Sequence, residues 1–306
     1  MPKVYGFREY GGPDKQDFWE QPKPTPGPSE LLIAVKAAGV NPADAKIRSG
    51  AFHAFMPTDL PSVMGSEASG VVEEVGMDVE GFAVGDEVMG RTAPGSGGFA
   101  EYTLLTADAT AKKPAHVSFT DAAALPVASV TAYAGVRQLG LSEGQTLLII
   151  GIGGGIGVAA AQIARDQGLN VIGTGSESKR DLVESLDATL FNYADGNIAE
   201  QVRSILPDGV DGVLDLVGGD ALRQVSGLVA DKSKLVTAAD AQTAGELGGS
   251  AVTRDRVGIL KTVAELVADG KLNPHAVDIV PLDKAADAIA GVESGHSRGK
   301  VVLEIP

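Results

Sequence analysis

The chain of 306 residues has a formal net charge of −15 and contains no cysteine. The charge argues against nucleic acid or an anionic membrane as the main partner, and the missing cysteine excludes disulfides and thiolate-bound metals. No run reaches the ~18 apolar residues of a membrane span, and the first residues lack the apolar core of a signal peptide. We therefore expect a cytoplasmic protein. We also expect two domains, because a single hydrophobic core rarely grows past about 250–300 residues.

Short strands and turns dominate the chain up to about Ala115. The runs ELLIAVKAAGV, SGVVEEVG and GDEVMG carry β-branched residues between glycines and prolines, which is the pattern of brief strands. The last residues, GKVVLEI, have the same character. We therefore expect this final strand to return to the N-terminal domain and complete it.

From about Ser118 the pattern changes to helices that alternate with strands. DAAALPVASVTAYAGVRQLG is predicted as a helix and TLLII as a buried strand, and three further helix–strand pairs follow, ending at VDGVLDLVG. Such alternation predicts an α/β fold with a parallel sheet covered on both faces. VGILKTVAELVADGKL and DKAADAIAGVESG are predicted as amphipathic helices near the C-terminus.

A glycine-rich turn follows the predicted strand TLLII. Gly151, Gly154 and Gly157 recur at every third position, so the literal G-x-G-x-x-G dinucleotide fingerprint is absent. The turn can still let the strand bend sharply, let backbone N–H groups approach a pyrophosphate and let the next helix pack closely. We assign Gly155 and Ile156 to this cofactor-binding turn as well. The alternative is a glycine-rich turn of any doubly wound domain.

The end of the next strand indicates which dinucleotide binds. Proteins that bind NAD usually place an acid about 20 residues beyond the glycine turn, where it accepts hydrogen bonds from the ribose 2′-OH. Here Thr174-Gly175-Ser176 stands instead, and Lys179 and Arg180 follow. These donors and positive charges suit a 2′-phosphate, so we predict NADPH. Two alternatives remain: Glu177 could turn to the ribose and favour NADH, or SESKR could simply begin a helix with a serine N-cap.

The order of these motifs resembles the medium-chain dehydrogenase/reductase superfamily over nearly the whole chain. AAGVNPADAKIRSG, LPSVMGSEASGVVEEVG, GGFAEY, ALPVASVTAY, the glycine turn and GHSRGKVVLEI follow one another in that order. The pattern is similar to the zinc-free quinone oxidoreductase branch, which includes zeta-crystallin-like proteins and enone reductases. The resemblance implies a GroES-like β-rich catalytic domain, residues 1–117 and 276–306, and a Rossmann doubly wound parallel-sheet nucleotide-binding domain, residues 118–275.

The metal ligands of the zinc-containing members are missing from the matching positions. Gly65-Ser66-Glu67 stands where those members carry Gly-His-Glu, and Asn41 and Asp44 stand near the position of the first ligand cysteine. The four histidines show no ligand spacing; they are His53, His116, His275 and His296. We therefore expect no metal site. A conjugated acceptor is favoured, because it spreads the developing charge and a few hydrogen-bond donors can then stabilise it.

The motif GVNPADAK supplies the candidate catalytic residues. Asn41 could donate its amide N–H to a substrate oxygen, Lys46 could stabilise developing negative charge, and Asp44 could orient Lys46. Quinone reductases often carry tyrosine at the position of Lys46, whereas enone-reductase-like members commonly carry lysine, so both acceptor classes stay open. In the alternative, Asn41 only caps a helix, and Asp44 and Lys46 are solvated.

The resemblance adds two cofactor residues and a function. Thr131 matches a residue that lies beside the nicotinamide in relatives, and Tyr193 matches a tyrosine near the 2′-phosphate. An NADPH-dependent reductase of quinones or enones is implied, commonly a homodimer. The alternative is a nucleotide-binding redox sensor or a crystallin-like structural protein with little turnover. We favour the enzyme because substrate-side motifs accompany the cofactor turn.

Overall fold

The computed structural model describes residues 1–54, 57–253, 258–295, 297 and 299–306. The chain forms two compact units. The first comprises Met1–Val127, Leu260–Ala268 and Pro274–Pro306, and the second comprises Ala128–Ile259 and Asp269–Asn273. The domain boundaries after residues 117 and 275 stay a prediction. No helix in the described part of the chain combines the length and the apolar character that a membrane crossing needs.

The secondary structure comprises strands, α-helices and short tight turns of helix. The strands are β1 (Lys3–Phe7), β2 (Gln16–Glu20), β3 (Glu30–Val40), β4 (Ser62–Val63), β5 (Glu67–Val75), β6 (Glu87–Thr92), β7 (Tyr102–Lys112), β8 (Thr146–Ile150), β9 (Asn170–Gly175), β10 (Thr189–Asn192), β11 (Gly212–Asp215), β12 (Leu235–Thr237), β13 (Ser250–Ala251), β14 (Ala276–Pro281) and β15 (Lys300–Glu304). The α-helices are α1 (Pro42–Arg48), α2 (Phe119–Ala123), α3 (Val130–Leu139), α4 (Gly155–Asp166), α5 (Arg180–Glu184), α6 (Ile198–Ile205), α7 (Gly219–Val225), α8 (Ala241–Glu246), α9 (Ile259–Ala268) and α10 (Ala285–Glu293).

The first unit is built on a sheet that closes on itself. β3, β5, β6 and β7 pair in that order, all antiparallel, and β7 pairs back with β3. β15 pairs antiparallel with β3, with Val302 opposite Gly39, so the final strand returns to the N-terminal unit as predicted. Side chains such as Phe7, Ile33 and Leu303 form the buried core.

The second unit contains a six-stranded parallel sheet in the order β10-β9-β8-β11-β12-β13. This is the 3-2-1-4-5-6 order of a doubly wound dinucleotide-binding fold, so the predicted parallel α/β sheet is confirmed. β8 lies where the strand order reverses, and its residues from Leu147 to Ile150 are all buried. Because Ile150 is paired with Thr174, the loops that follow β8 and β9 emerge side by side at one edge.

One long predicted helix is interrupted. DAAALPVASVTAYAGVRQLG was expected to be continuous, but the structure divides this region into α2, a π-helical segment at Leu125–Ser129 and α3. Pro126 explains the break, because proline lacks the N–H donor and its ring clashes with the carbonyl four residues earlier. The helix predicted from Val257 is α9, Ile259–Ala268; Val257 itself lies outside the described residues.

Candidate functional site

Two predicted catalytic residues lie at the start of α1. Asn41 follows β3 directly and is the N-cap, with extended backbone angles, and Pro42 takes the first helical position that suits proline. The Asp44 carboxylate accepts the Asn41 backbone N–H at 2.8 Å. Asn41 and Asp44 are only 6% and 3% exposed. Asn41 therefore takes the N-cap position, and Asp44 is buried rather than solvated.

The Asn41 side chain belongs to a buried polar network. Its Nδ2 donates to Glu67 Oε1 at 2.8 Å, and its Oδ1 accepts from Lys300 Nζ at 2.6 Å. Lys300 Nζ also donates to Glu67 Oε1 at 2.6 Å and to the Val40 carbonyl at 3.0 Å, while Glu67 Oε2 accepts the Val127 N–H at 2.7 Å. Glu67 is 0% exposed and Lys300 3%. An ammonium on one side and a carboxylate on the other fix the orientation of the Asn41 amide.

A cavity of about 480 Å³ lies beside this network within the first unit. Apolar residues including Phe7, Ile47 and Met64 form part of its wall, and Asp44 and Arg91 are among its polar residues. Burial raises the pKa of Asp44 to about 7, although the hydrogen bond from the Asn41 N–H and the nearby positive charges oppose this shift. Asp44 therefore changes charge near neutral pH, as general acids and bases often do, in a cavity whose wall also holds Asp59, Arg91 and several hydroxyl side chains.

Lys46 occupies a different environment from Asn41 and Asp44. Its side chain is exposed, with Nζ 5.7 Å from the centre of the Phe52 ring, and it is not among the residues that line the cavity. The Asp44 carboxylate binds the Asn41 N–H rather than Lys46. The structure thus brings Asn41 and Asp44 together. Of the three predicted catalytic residues only Asp44 lines the cavity; Asn41 is buried behind it in the polar network, and Lys46 is exposed.

Sequence reasoning missed three charged residues of this region. The sequence motifs point to Glu67 only as part of the missing zinc motif, and they do not single out Lys300 or Arg91. Lys300 is separated from Asn41 by 259 positions, so no local pattern joins them. One feature of the sequence could have indicated Lys300: it begins an otherwise apolar strand, and a charged residue buried in such a strand usually needs a partner.

No metal centre is found in the part of the chain that the structure covers: no three or more His, Asp or Glu side chains come together there in a way that could hold an ion. His53 contacts the Tyr10 hydroxyl, with 3.0 Å between Nδ1 and the oxygen. His296 lies outside the described residues.

The glycine turn after β8 has the geometry that a pyrophosphate site needs. Gly151 has a φ of 84°, and the N–H groups of Gly151 and Ile152 both donate to the Thr174 carbonyl at 3.1 Å. A Cβ on Gly157 would lie 2.5 Å from the Ile152 carbonyl oxygen, so only glycine lets α4 pack this closely against the turn. Thr174 holds the turn in place, because its hydroxyl accepts the Gly151 N–H at 3.2 Å.

The first turn of α4 presents backbone N–H groups to this region. Gly154 is the N-cap, and Gly155, Ile156 and Gly157 are the first helical residues. Their N–H groups have no acceptor within the helix, and the helix dipole adds positive potential at that end. The predicted turn residues therefore share one helix N-terminus of the kind that binds phosphates.

The residues predicted to bind the 2′-phosphate differ in their surroundings. Lys179 lies against the glycine turn, since a Cβ on Gly153 would lie 2.3 Å from its Cδ. Arg180 binds both carboxylate oxygens of Glu177, at 2.6 and 2.8 Å. This hydrogen bonding lowers the pKa of Glu177. Ser176 lies near Ser178, with 3.0 Å between the hydroxyl oxygens.

Two further predicted cofactor residues flank the parallel sheet. Tyr193 directly follows β10, where Asn192 is paired with Gly175, so Tyr193 and Ser176 emerge at the same edge. Tyr193 is 62% exposed and therefore accessible to a ligand. Thr131 is buried near the start of α3.

Sequence reasoning also missed a buried acid at the end of β11. Asp215 accepts the N–H groups of Val217 and Gly218 at 3.0 and 2.8 Å and the Thr237 hydroxyl at 2.5 Å. These bonds fix the loop beside the glycine turn, because a Cβ on Gly151 would lie 3.0 Å from the Val217 side chain. The sequence feature that could have indicated Asp215 is an acid at the end of the apolar strand GVLD.

Two family models match the chain. The alcohol dehydrogenase GroES-like domain matches residues 27–115, which confirms the predicted character of the N-terminal β-structure. The zinc-binding dehydrogenase domain matches residues 186–303. That name describes the family, whereas this chain has no cysteine to offer as a ligand.

Individual relatives agree with these domains. The 2-methylene-furan-3-one reductase of Solanum lycopersicum is 34% identical over 98% of this chain and 78% of its own length. The chloroplastic NADPH-dependent alkenal/one oxidoreductase of Arabidopsis thaliana is 32% identical over 98% of this chain and 79% of its own length. The solved structure of the quinone oxidoreductase from Coxiella burnetii superposes with a TM-score of 0.91 at 31% identity, covering 100% of this chain and 99% of that one.

A GroES-like domain and a Rossmann-like parallel sheet with a glycine turn define the alcohol-dehydrogenase class of oxidoreductases. The resemblance inferred from the sequence motifs is thus confirmed. The chain belongs to the medium-chain dehydrogenase/reductase superfamily, in its quinone and enone oxidoreductase branch.

Proposed function

We propose that this protein is a zinc-independent, NADPH-dependent oxidoreductase that reduces quinones or α,β-unsaturated carbonyl compounds. The observation that carries the proposal is the cavity of the first unit. Beside it lies the buried polar network of Asn41, Glu67 and Lys300. The names of the relatives, which are reductases of enones and quinones, support the same acceptor classes.

The residues around the glycine turn fit an NADPH molecule. The close contact at Gly157 and the N–H groups at the start of α4 suit the pyrophosphate, and Lys179 suits the 2′-phosphate. The proposed cofactor residues remain those predicted from the sequence: Thr131, Gly151, Gly154, Gly155, Ile156, Gly157, Thr174, Ser176, Lys179, Arg180 and Tyr193. Bound NADPH supplies a hydride.

The polar groups of the proposed acceptor site suit a conjugated substrate. Hydride addition to an isolated ketone concentrates negative charge on one oxygen, for which a Lewis acid is the usual stabiliser. Conjugation spreads that charge, so hydrogen-bond donors suffice. Asn41 has a second amide N–H beyond the one that binds Glu67, and the network holds its amide group in one orientation.

A screen of NADPH oxidation tests this function. We expect turnover with quinones and 2-alkenals and little with simple ketones, and the same rates after dialysis against a strong chelator. NADPH binding without turnover on any acceptor would instead support the redox-sensor alternative. One tightly bound zinc per chain, or activity lost to the chelator, would contradict the metal-free assignment.

Two finer assignments also belong to the proposal. The homodimer is proposed because relatives of this branch commonly form one, and light scattering coupled to gel filtration measures it. The cytoplasm is proposed as the location, and the chloroplastic relative shows that the family also occurs elsewhere. Fractionation of the native host tests it.

Replacing Asn41 by alanine is expected to lower turnover with a conjugated acceptor by roughly 10²-fold, since it removes a preorganised donor. The Kd for NADPH should stay nearly unchanged, because Asn41 lies in the first unit and the proposed NADPH residues belong to the second. Steady-state kinetics and fluorescence titration separate the two effects. Lys46→Ala is predicted from the sequence to lower turnover as well. Unchanged kinetics in both variants would place the acceptor site elsewhere.

The double variant Lys179→Ala with Arg180→Ala is expected to raise the NADPH KM more than tenfold, or about 1.4 kcal/mol at the binding step. NADH kinetics should scarcely change, because NADH has no 2′-phosphate. Arg223→Ala is a matched control, since Arg223 is an exposed arginine of the same unit that pairs with Glu246 at 2.5 Å. Equal effects on both cofactors would show that these side chains do not recognise the phosphate.

A further inference from the structure

Arg91 is a charged residue of the cavity wall that the sequence did not single out. It lies on β6 opposite Glu67 of β5 and lines the same cavity as Asp44. Its guanidinium forms no hydrogen bond or ion pair with any residue in the described part of the chain. Glu67 instead bonds Lys300, Asn41 and the Val127 N–H. Because arginine stays charged in proteins, the cavity wall carries a positive charge as well as the carboxyl groups of Asp44 and Asp59.

We propose that Arg91 and Asp44 together form the oxyanion-binding and proton-donating site for the acceptor, an inference that rests on the proposed function. Arg91 binds the carbonyl oxygen on which negative charge develops, and Asp44 supplies the proton that completes the reduction. The role that the sequence assigned to Lys46 thereby passes to Arg91. Lys46 is exposed and does not line the cavity, whereas Arg91 does.

The reaction balances with these two groups. The acceptor receives a hydride with its electron pair from NADPH, which becomes NADP⁺. In an enone the new C–H bond forms at the β-carbon, the double-bond pair shifts toward the carbonyl, and an enolate oxygen is left beside Arg91. The O–H bond of Asp44 then breaks, its proton goes to the enolate, and its electron pair stays on the carboxylate. A quinone that receives the hydride becomes the hydroquinone anion, which takes the Asp44 proton in the same way. Solvent then returns a proton to Asp44.

The charges around Asp44 suit a proton donor. The groups that act on it are the Asn41 N–H at the start of α1, Glu67 on β5, Arg91 on β6 and Lys300 on β15. Burial is the largest of these influences and raises the pKa of Asp44 to about 7, so a substantial fraction is protonated at neutral pH. Once the proton has left, the Asn41 N–H and the two positive side chains stabilise the carboxylate. Proton transfer is most effective when the donor pKa lies near the working pH.

Kinetics of Arg91→Gln, Arg91→Lys and Asp44→Asn test this inference, with Arg8→Gln as the control because Arg8 is an exposed arginine of the same unit. For Arg91→Gln we expect kcat to fall about 10²-fold with quinones and enones, partial recovery in Arg91→Lys, and an unchanged Kd for NADPH. In the wild type kcat should fall as pH rises through the pKa of Asp44. Asp44→Asn should have a low kcat that does not decrease over this pH range.

Several outcomes would overturn it. A wild-type kcat in Arg91→Gln would exclude Arg91 as the oxyanion-binding residue. A kcat that still falls with rising pH in Asp44→Asn would exclude Asp44 as the proton donor. If kcat falls in Lys46→Ala but not in Arg91→Gln, Lys46 and not Arg91 binds the oxyanion. If the wild type itself oxidises no NADPH with any acceptor, the proposed function fails. If the wild type is active and the variants match it, only this inference fails. Should Asp44→Asn not fold, as circular dichroism would show, the two Arg91 variants still test the oxyanion site, and a wild-type kcat that does not fall as pH rises through neutrality would exclude Asp44 as the proton donor.

Discussion

Replacing Lys300 by methionine is expected to lower the free energy of unfolding by about 3–5 kcal/mol, the usual cost of removing one partner of a buried ion pair. The Glu67 carboxylate would stay fully buried without its cation, and the Asn41 amide oxygen and the Val40 carbonyl would each lose a donor. Urea denaturation with linear extrapolation measures the loss. Turnover should also fall, because the Asn41 amide would no longer be held from both sides.

An exposed ion pair in the same unit provides the control. Lys112 Nζ lies 2.8 Å from Asp86, and the lysine side chain is 58% exposed, so Lys112→Met should cost at most about 1 kcal/mol. Adding Glu67→Gln to Lys300→Met removes the unpaired charge and should recover part of the lost stability. A change of less than about 1 kcal/mol in Lys300→Met would contradict the buried pair.

Asp44→Asn is expected to make stability less dependent on pH. Burial raises the pKa of Asp44 from 3.8 to about 7, so between these values the folded protein holds a proton that the unfolded chain has released. The free energy of unfolding therefore decreases as pH rises across this window. Between about pH 5 and pH 8 the free energy of unfolding of the wild type should decrease by roughly 3 kcal/mol more than that of Asp44→Asn.

The measurement is urea denaturation of both proteins at the two pH values. Asparagine can still accept the Asn41 N–H through its amide oxygen, so the local hydrogen bond is kept. Asp78→Asn is the matched control, because Asp78 is an exposed acid of the same unit, and its pH dependence should follow the wild type. Parallel curves for Asp44→Asn and the wild type would show that Asp44 titrates as an ordinary exposed acid.

The sequence by itself determined the features that depend on neighbouring residues. Apolar runs such as TLLII predicted strands of the parallel sheet, because both faces of such strands are buried. The glycines from Gly151 to Gly157 predicted the turn and the close approach of α4, since a Cβ on Gly157 has no room there. The motif GVNPADAK located Asn41 and Asp44, because Asn41 and Pro42 begin a helix and place an acid in its first turn.

The tertiary structure decided which charges meet. Lys300 contacts Glu67 across 233 positions of sequence, because β15 and β5 both pair with β3, and no local pattern encodes such a contact. Lys46 and Asp44 are two residues apart in one helix, so their side chains point in different directions, and only one of them reaches the cavity. Burial is likewise a property of the whole fold: the shift in the pKa of Asp44 arises when strands from both ends of the chain exclude water from it.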